Sequence, residues 1–446
     1  MEIAYQDFSL WIEPLDSAPG YRLKAHSPAG EACETIRLAD AAPPSHPPLD
    51  PTQAAAAGAF SLAAGQGPDL DNRRRGEELF RLLFCGRIGR LFASSTGPLP
   101  DPERGLRIKL YFDPSQPSAA ALCALPWELL YNAETKDYLG INPLTPVVRY
   151  LEVPRPHQLP PFEPPLRLLI VASNPGLSAP LGLARERRLI EQTLMRDPEV
   201  EITVLEHCDR ESLVDAIGGA PFDVLHFMGH AGFDEATGTG TLLLDGPDGR
   251  VEPLPGDLLA HLLKGSLPRL VVLNACNSAR ACSGRGSDFF SGLATAVVMG
   301  GVPAVVAMRA PVSDLVAVRF SQVLYRQLAR GEAVEAAVSE GRRALFLAAA
   351  DAPEWSTPVL FMRVPDGRLF AARAAEPDLD APDGGGVART DEVVVSVDGL
   401  ETGNDAQIVG MESTRASAPM PRAVHVSVKN AQAKDGFKIC GLKSSN

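Results

Sequence analysis

The chain has 446 residues, of which 45% are hydrophobic and 22% charged, with a net charge of −13 at pH 7. That length allows two or three domains, one with a sizeable core, and the composition is that of a soluble globular protein. No apolar run approaches the roughly 18 residues of a membrane span, and MEIAYQDFSL lacks the basic and apolar regions of a secretory leader, so a cytoplasmic protein without a membrane partner is expected. The acidic balance argues against nonspecific nucleic-acid binding. Seven scattered cysteines, with no CxxC pair and no metal-like spacing with His, suggest reduced thiols and no structural metal.

Residues 2–40 alternate in short stretches (FSLWIEP, YRLKAHSP) separated by APG, which predicts a small β element built on a hairpin. AAPPSHPPLDPTQAAAAG (41–58) reads as a Pro/Ala linker, so residues 1–60 are taken together. RRRGEELFRLLFCGRIGRLFASS (73–95) places Leu79, Phe80, Leu83 and Phe84 on one helical face. The strand LRIKLYFD (106–113) follows, then ALPWELLYN (124–132) and GINPLTPVVRYL (140–151), before a Pro-rich joint at 154–165. Trp127 and Glu128 are expected to dock the 75–150 region onto the sheet.

From 166 onwards predicted strands and helices alternate. LRLLIVAS, EITVLEH, DVLHFMG, RLVVLNA, PAVVAM and PVLFMR are strands. RERRLIEQTL, ESLVDAIGG, GDLLAHLLKG, SDFFSGLATAVVMGG and two segments within 314–349 are helices. TLLLDGPDGRVEPL (241–254) reads as a hairpin with PDG in the turn. Nearly continuous apolar strands between helices indicate an α/β fold, a doubly wound and mostly parallel sheet covered on both faces. The domain is expected over 72–370, with 72–153 and 166–370 as its two parts. No G-x-G-x-x-G or Walker loop follows any strand, so no nucleotide cofactor is expected.

Residues 371–391 are an Ala/Pro/Gly/Asp linker. Behind it, VVVSVDGLETGNDAQIVGMES (393–413) aligns without gaps on VHVSVKNAQAKDGFKICGLKS (424–444) at an offset of 31. Asp398 then faces Lys429, and Glu412 faces Lys443. Two β-rich copies with opposite charges in register suit stacking of one on the other, so 392–446 reads as a two-repeat recruitment module. The Q-I-V-G step resembles amyloid signalling motifs over a few residues. A fibre, a β-arch and a small docking module all remain open.

Chemistry concentrates at two strand ends. DVLHFMGHAG (223–232) delivers His230 and LVVLNACNSA (270–279) delivers Cys276. Parallel α/β sheets place their sites at the carboxyl ends of strands, so an imidazole and a thiol 46 residues apart can meet there as base and nucleophile. The N–H groups of Cys276 and of Ala231, in the 229–232 segment, are the candidates for holding an oxyanion. Asn274 lies two residues before Cys276, on the same face of a strand, and is a candidate wall of the substrate pocket. Asp314 fits either a basic P1 preference or an N-cap. His226, inside its strand, reads as a hydrogen-bonded structural residue, Cys282 as a bystander and Asp223 as solvent-facing.

LPWELLY (125–131), HFMGH (226–230), LNAC (273–276) and GGVPAVVAMRAPVSD (300–314) together resemble the CHAT domain family, caspase-like cysteine proteases related to caspases and separase. The resemblance implies a caspase-like fold and a His230/Cys276 dyad for peptide-bond hydrolysis. Asn274 stands where caspases have a P1-pocket Gln. Ala231 departs from the Gly that follows the caspase His, and the 34-residue helical repeats of many relatives are absent. Members often sit in bacterial defence systems, where some cleave gasdermins or other partner proteins. A regulated endopeptidase is therefore expected, triggered by a partner or through the C-terminal repeat. A catalytically inactive scaffold whose repeat drives assembly is the alternative. The absence of a G-x-S-x-G elbow counts against an ester hydrolase.

Overall fold

The computed structural model describes residues 3–15, 20–37, 68–96, 103–113, 122, 125–151, 159–160, 162–176, 183–194, 200–234, 239–246, 249–276, 289–309, 312–349 and 353–370, and the strand segments 393–398, 401–402, 407–413, 424–429, 432–433 and 438–444. Met1–Ala374 form one compact unit and Ala375–Asn446 a second.

In chain order the first unit holds β1 (Ala4–Pro14), β2 (Gly20–Ser27), β3 (Gly30–Arg37), α1 (Pro68–Leu83), α2 (Gly86–Thr96), β4 (Arg104–Phe112), β5 (Tyr131–Asn132), β6 (Asp137–Tyr138) and β7 (Val147–Leu151). Then come β8 (Leu166–Ala172), α3 (Leu183–Leu194), β9 (Val200–Glu206), α4 (Arg210–Gly219), β10 (Val224–Asp234), β11 (Thr239–Asp245), β12 (Val251–Pro255) and α5 (Gly256–Leu263). β13 (Leu270–Cys276), α6 (Phe289–Met299), β14 (Ala304–Met308), α7 (Asp314–Leu328), α8 (Val334–Ala348) and β15 (Pro358–Met362) complete it. The expected elements from 166 onwards are all present.

The predicted helix over 73–95 is two helices. Gly86 takes φ +49, in the left-handed region that glycine enters without penalty, and the chain turns there. Leu79, Leu83 and Phe84 stay buried, and the rings of Phe8, Phe80, Phe84 and Phe92 pack against one another in tilted and edge-to-face contacts.

One mostly parallel, thirteen-stranded sheet organises the described residues of this unit. Its order runs β12-β11-β10-β13-β14-β15-β7-β4-β1-β2-β3, and β8 pairs with both β10 and β9. The opening strands are therefore part of this sheet: β1 runs parallel to β4, and β2 and β3 extend it as antiparallel strands. β7 and β15 join the two halves of the chain in parallel register. Every residue of β14 and β15 is buried, as in strands covered on both faces, whereas β9 at the edge alternates between half-buried and exposed.

Chain direction through the sheet decides where a site can form. From β8 the chain passes through α3 to β9 on one side, then returns through α4 to β10 on the other. Right-handed crossovers put α3 and α4 on opposite faces, so a switch point opens at the carboxyl ends of β8 and β10. α3 packs against α7, and α7 against α8; α4 meets α5, and α5 meets α6.

Trp127 and Glu128 belong to a short 3₁₀ turn and are fully buried. Glu128 takes a bidentate pair from Arg149 on β7, at 3.1 and 2.7 Å, with Arg342 on α8 at 3.9 Å. Burial alone would raise the Glu128 pKa. Arg149 and Arg342 outweigh it and hold the carboxyl below the usual range. The expected docking of this segment is realised as a buried charge cluster that ties β7 to α8.

In the second unit, β16 (Val393–Asp398), β17 (Glu401–Thr402) and β18 (Gln407–Ser413) pair in parallel with β19 (Val424–Lys429), β20 (Gln432–Ala433) and β21 (Lys438–Ser444) respectively. All three pairs keep the 31-residue offset of the repeat, so Asp398 registers with Lys429 and Glu412 with Lys443.

Candidate active site

β10 and β13 are parallel neighbours, and their register puts His230 directly beside Cys276. Adjacent strands lie about 4.8 Å apart, so the two backbone positions are as close as a sheet allows. The sequence separation is bridged by α5 and the β11–β12 hairpin. Ala275 and Cys276 are described by their place in the strand; the Cys276 side chain and Cys282 lie outside the described residues.

His230 does not end its strand. β10 continues to Asp234 by changing its partner on one edge, pairing with β8 through Met228 and with β11 from His230 onward. The 229–232 segment is thus strand rather than loop, with Ala231 buried and registered against Leu242. Gly229 sits at the change of partner. A Cβ there would lie 2.5 Å from the Ser173 carbonyl oxygen, so the close approach of the two backbones requires glycine.

The His230 ring is fully buried, and its Nε2 lies 2.8 Å from Asn174 Oδ1. An amide oxygen only accepts, so Nε2–H is the donor of this bond. Asn174 follows β8 at the switch point, and its own N–H donates to Asp245 Oδ2 at 3.1 Å. The same carboxylate oxygen accepts from Ser173 Oγ at 2.9 Å.

Beneath these groups lies a second polar cluster. Glu186 on α3 accepts from Asn274 Nδ2 at 2.5 Å and from Ser321 Oγ at 2.8 Å, and its Oε1 is 3.2 Å from His226 Nε2. The other His226 nitrogen is 2.8 Å from the Tyr325 hydroxyl on α7. Burial, then Glu186, pushes the Tyr325 phenol far above its ordinary range, so it remains protonated. A carboxylate with several donors is a stable buried arrangement. It fixes both site-bearing strands to the helices that cover them.

The expected site residues are thus placed as follows. His230 and Cys276 are brought together as register partners, and Ala231 adjoins them. Asn274 is 4% exposed, with its amide on Glu186. Asp314 is the first residue of α7, with Ser313 at the cap position, and its side chain lies outside the described residues. His226 is hydrogen-bonded as expected. Asp223 is not a free surface group: it accepts from the Arg167 N–H at 3.0 Å and pairs with Arg269.

Asn174, Asp245 and Glu186 were not singled out from the sequence. Asn174 carried a usable signal, since it follows an apolar strand as Cys276 ends one. Glu186 did not, because its burial inside the polar-looking RERRLIEQTL depends on which helix face the sheet covers. Among the described residues no cluster of His, Cys, Asp and Glu could hold a metal ion, and no helix is long and apolar enough to cross a membrane.

A family model of the CHAT domain matches residues 74–372. Solved structures similar to this one include two of the Saccharomyces cerevisiae separase–securin complex. One is 14% identical with a TM-score of 0.35, the other 16% identical with a TM-score of 0.33. Each alignment covers 62% of this chain, which spans only 16% of the length of the chain it matches. No curated protein matches the sequence at a significant level.

Proposed function

The chain belongs to the CHAT domain family, and from that premise we propose that it is a caspase-like cysteine endopeptidase with Cys276 as nucleophile and His230 as base. The observation that carries this reading is the register of β10 and β13, which makes His230 and Cys276 neighbours at the carboxyl end of a parallel sheet.

The chemistry follows from the ring orientation. With Nε2–H committed to Asn174, Nδ1 takes the Cys276 proton, and the thiolate attacks the scissile carbonyl. The resulting oxyanion accepts from the N–H groups of Cys276 and Ala231. His230 then protonates the leaving amine, and water attacking the thioester releases the second product. Asn274, anchored by Glu186, is a wall of the P1 pocket, and Asp314 gives a basic P1 preference. The substrate is a partner protein, such as a gasdermin or another neighbouring-gene product, and the enzyme is a regulated effector in a bacterial defence or signalling system. Residues 393–446 recruit the activating partner or a second copy.

The second reading is an inactive scaffold that assembles through its C-terminal repeat. It draws on the common 31-residue register of the three tail strand pairs. Alkylation separates the two. In a peptidase, iodoacetamide should modify Cys276 faster than any of the other six cysteines, and co-expression with neighbouring-gene proteins should yield fragments that vanish with Cys276→Ala. A Cys276 no faster than the exposed Cys33 would leave only the scaffold.

A further inference from the structure

We propose that Asp245 is the positioning residue of this site: through the backbone of Asn174 it sets the amide that fixes the His230 ring. The inference rests on the peptidase reading above.

β8 and β11 share one edge of β10, end to end. β8 occupies that edge up to Met228, and β11 occupies it from His230 onward. At the gap between them, Asp245 closes β11 and Ser173–Asn174 leave β8. The Asp245 carboxylate spans the gap. Its Oδ2 accepts from Ser173 Oγ at 2.9 Å and from the Asn174 N–H at 3.1 Å. Asp245 is itself held, since its own N–H donates to the Cys208 carbonyl at 2.9 Å. Ser173 is fully buried and donates its N–H to the Met228 carbonyl at 3.0 Å.

Asn174 is therefore pinned at its backbone on one side and bonded to His230 Nε2 on the other, at 2.8 Å. A pinned Asn174 backbone fixes the point from which its amide oxygen reaches Nε2, and so fixes where the ring is held. Bonds to a carboxylate are stronger than neutral ones, which suits Asp245 to this task. One hairpin thus serves two ends: Leu243 registers with His230, and Asp245, two residues on, holds the residue that orients it.

The test is the alkylation rate of Cys276 in the full-length protein at pH 7, read by peptide mass spectrometry. Asp245→Ala should slow it about tenfold, the lower end of the loss when an outer hydrogen bond that orients a metal-bound imidazole is removed. Asp245→Asn keeps an acceptor oxygen without the charge and should recover most of that loss, which a merely destabilising substitution would not. Asn174→Ala should match Asp245→Ala, and the double variant should be no slower than either, because the two act in series. Should Asp245→Ala not fold, Ser173→Ala/Asp245→Ala removes donor and acceptor together, leaves no orphaned hydroxyl, and takes its place. An Asp245→Ala protein as fast as wild type, a failure of Asn to rescue, or a double variant slower by the product of the singles would overturn the proposal and leave the peptidase reading intact. A wild-type Cys276 no faster than Cys33 and Cys85 would instead remove the peptidase reading, and this inference with it.

Discussion

Single residues at the β10–β13 junction carry the sharpest expectations. Under the proposed mechanism, Cys276→Ala and His230→Ala should each abolish proteolysis, and the double variant should be no worse than either, because the proposed nucleophile and base would act as one unit. Clean turnover by Cys276→Ala would refute the mechanism. Gly229 tests the backbone beneath them. Gly229→Ala drives a Cβ against the Ser173 carbonyl oxygen, a backbone atom that cannot swing away. The resulting shift should cost about 1–3 kcal/mol, as overpacking does. It should also slow Cys276 alkylation, because the strand that moves carries His230. Thermal unfolding and alkylation kinetics check both. Cys208 is an internal control: burial, then Asp209, pushes its thiol up to about 12, so it should stay unmodified in the folded protein.

At the scale of elements, the Glu128 cluster adds a buried charge contact to the β7–β15 pairing that joins the two halves of the chain. Glu128→Gln leaves Arg149 and Arg342 buried without their carboxylate, which should cost about 3–5 kcal/mol. Because the folded-state pKa of Glu128 lies below its unfolded value, its contribution is complete above about pH 4.3 and is lost as pH falls through the folded pKa. The stability gap between wild type and Glu128→Gln, measured by urea unfolding, should therefore be constant from pH 7 to 5 and shrink below about pH 4. A gap independent of pH down to 3 would show that the glutamate is not the source. Elements were also where the sequence was most legible. The apolar runs at 166–172, 270–274 and 304–308 are strands because both faces are covered, and continuous hydrophobicity records that directly. The break at Gly86 was hidden because helical periodicity continues across it. The extension of β10 to Asp234 was hidden because a change of strand partner leaves no mark on side-chain alternation. Partner-dependent features such as Glu186 inside a polar helix face were unreadable for the same reason: burial there is decided by a distant strand.

At the scale of the whole molecule, the proposed roles divide between the sheet unit and the tail unit. All residues assigned a chemical role lie in Met1–Ala374, whereas the repeat lies wholly in Ala375–Asn446. The tail's strands pair at one common offset, placing acidic residues of the first copy in register with lysines of the second. If copies from two chains stack in the same order, the second copy of one meets the first copy of the next, and the same opposite charges face each other. Under the proposed role of the tail, this register suits pairing with a like chain or a matching partner strand, and open strand edges are where such pairing begins. Deleting residues 393–446 should consequently leave hydrolysis of a small peptide unchanged while abolishing activation in the cell. Substituting Lys429 and Lys443 by Glu in the full chain should reproduce the activation defect, because like charges would then oppose each other in register. If the truncated protein answers its trigger as well as the full chain does, the regulatory role of the tail is wrong. If the isolated tail stays monomeric at high concentration, self-stacking is excluded and recruitment of a different partner is what remains.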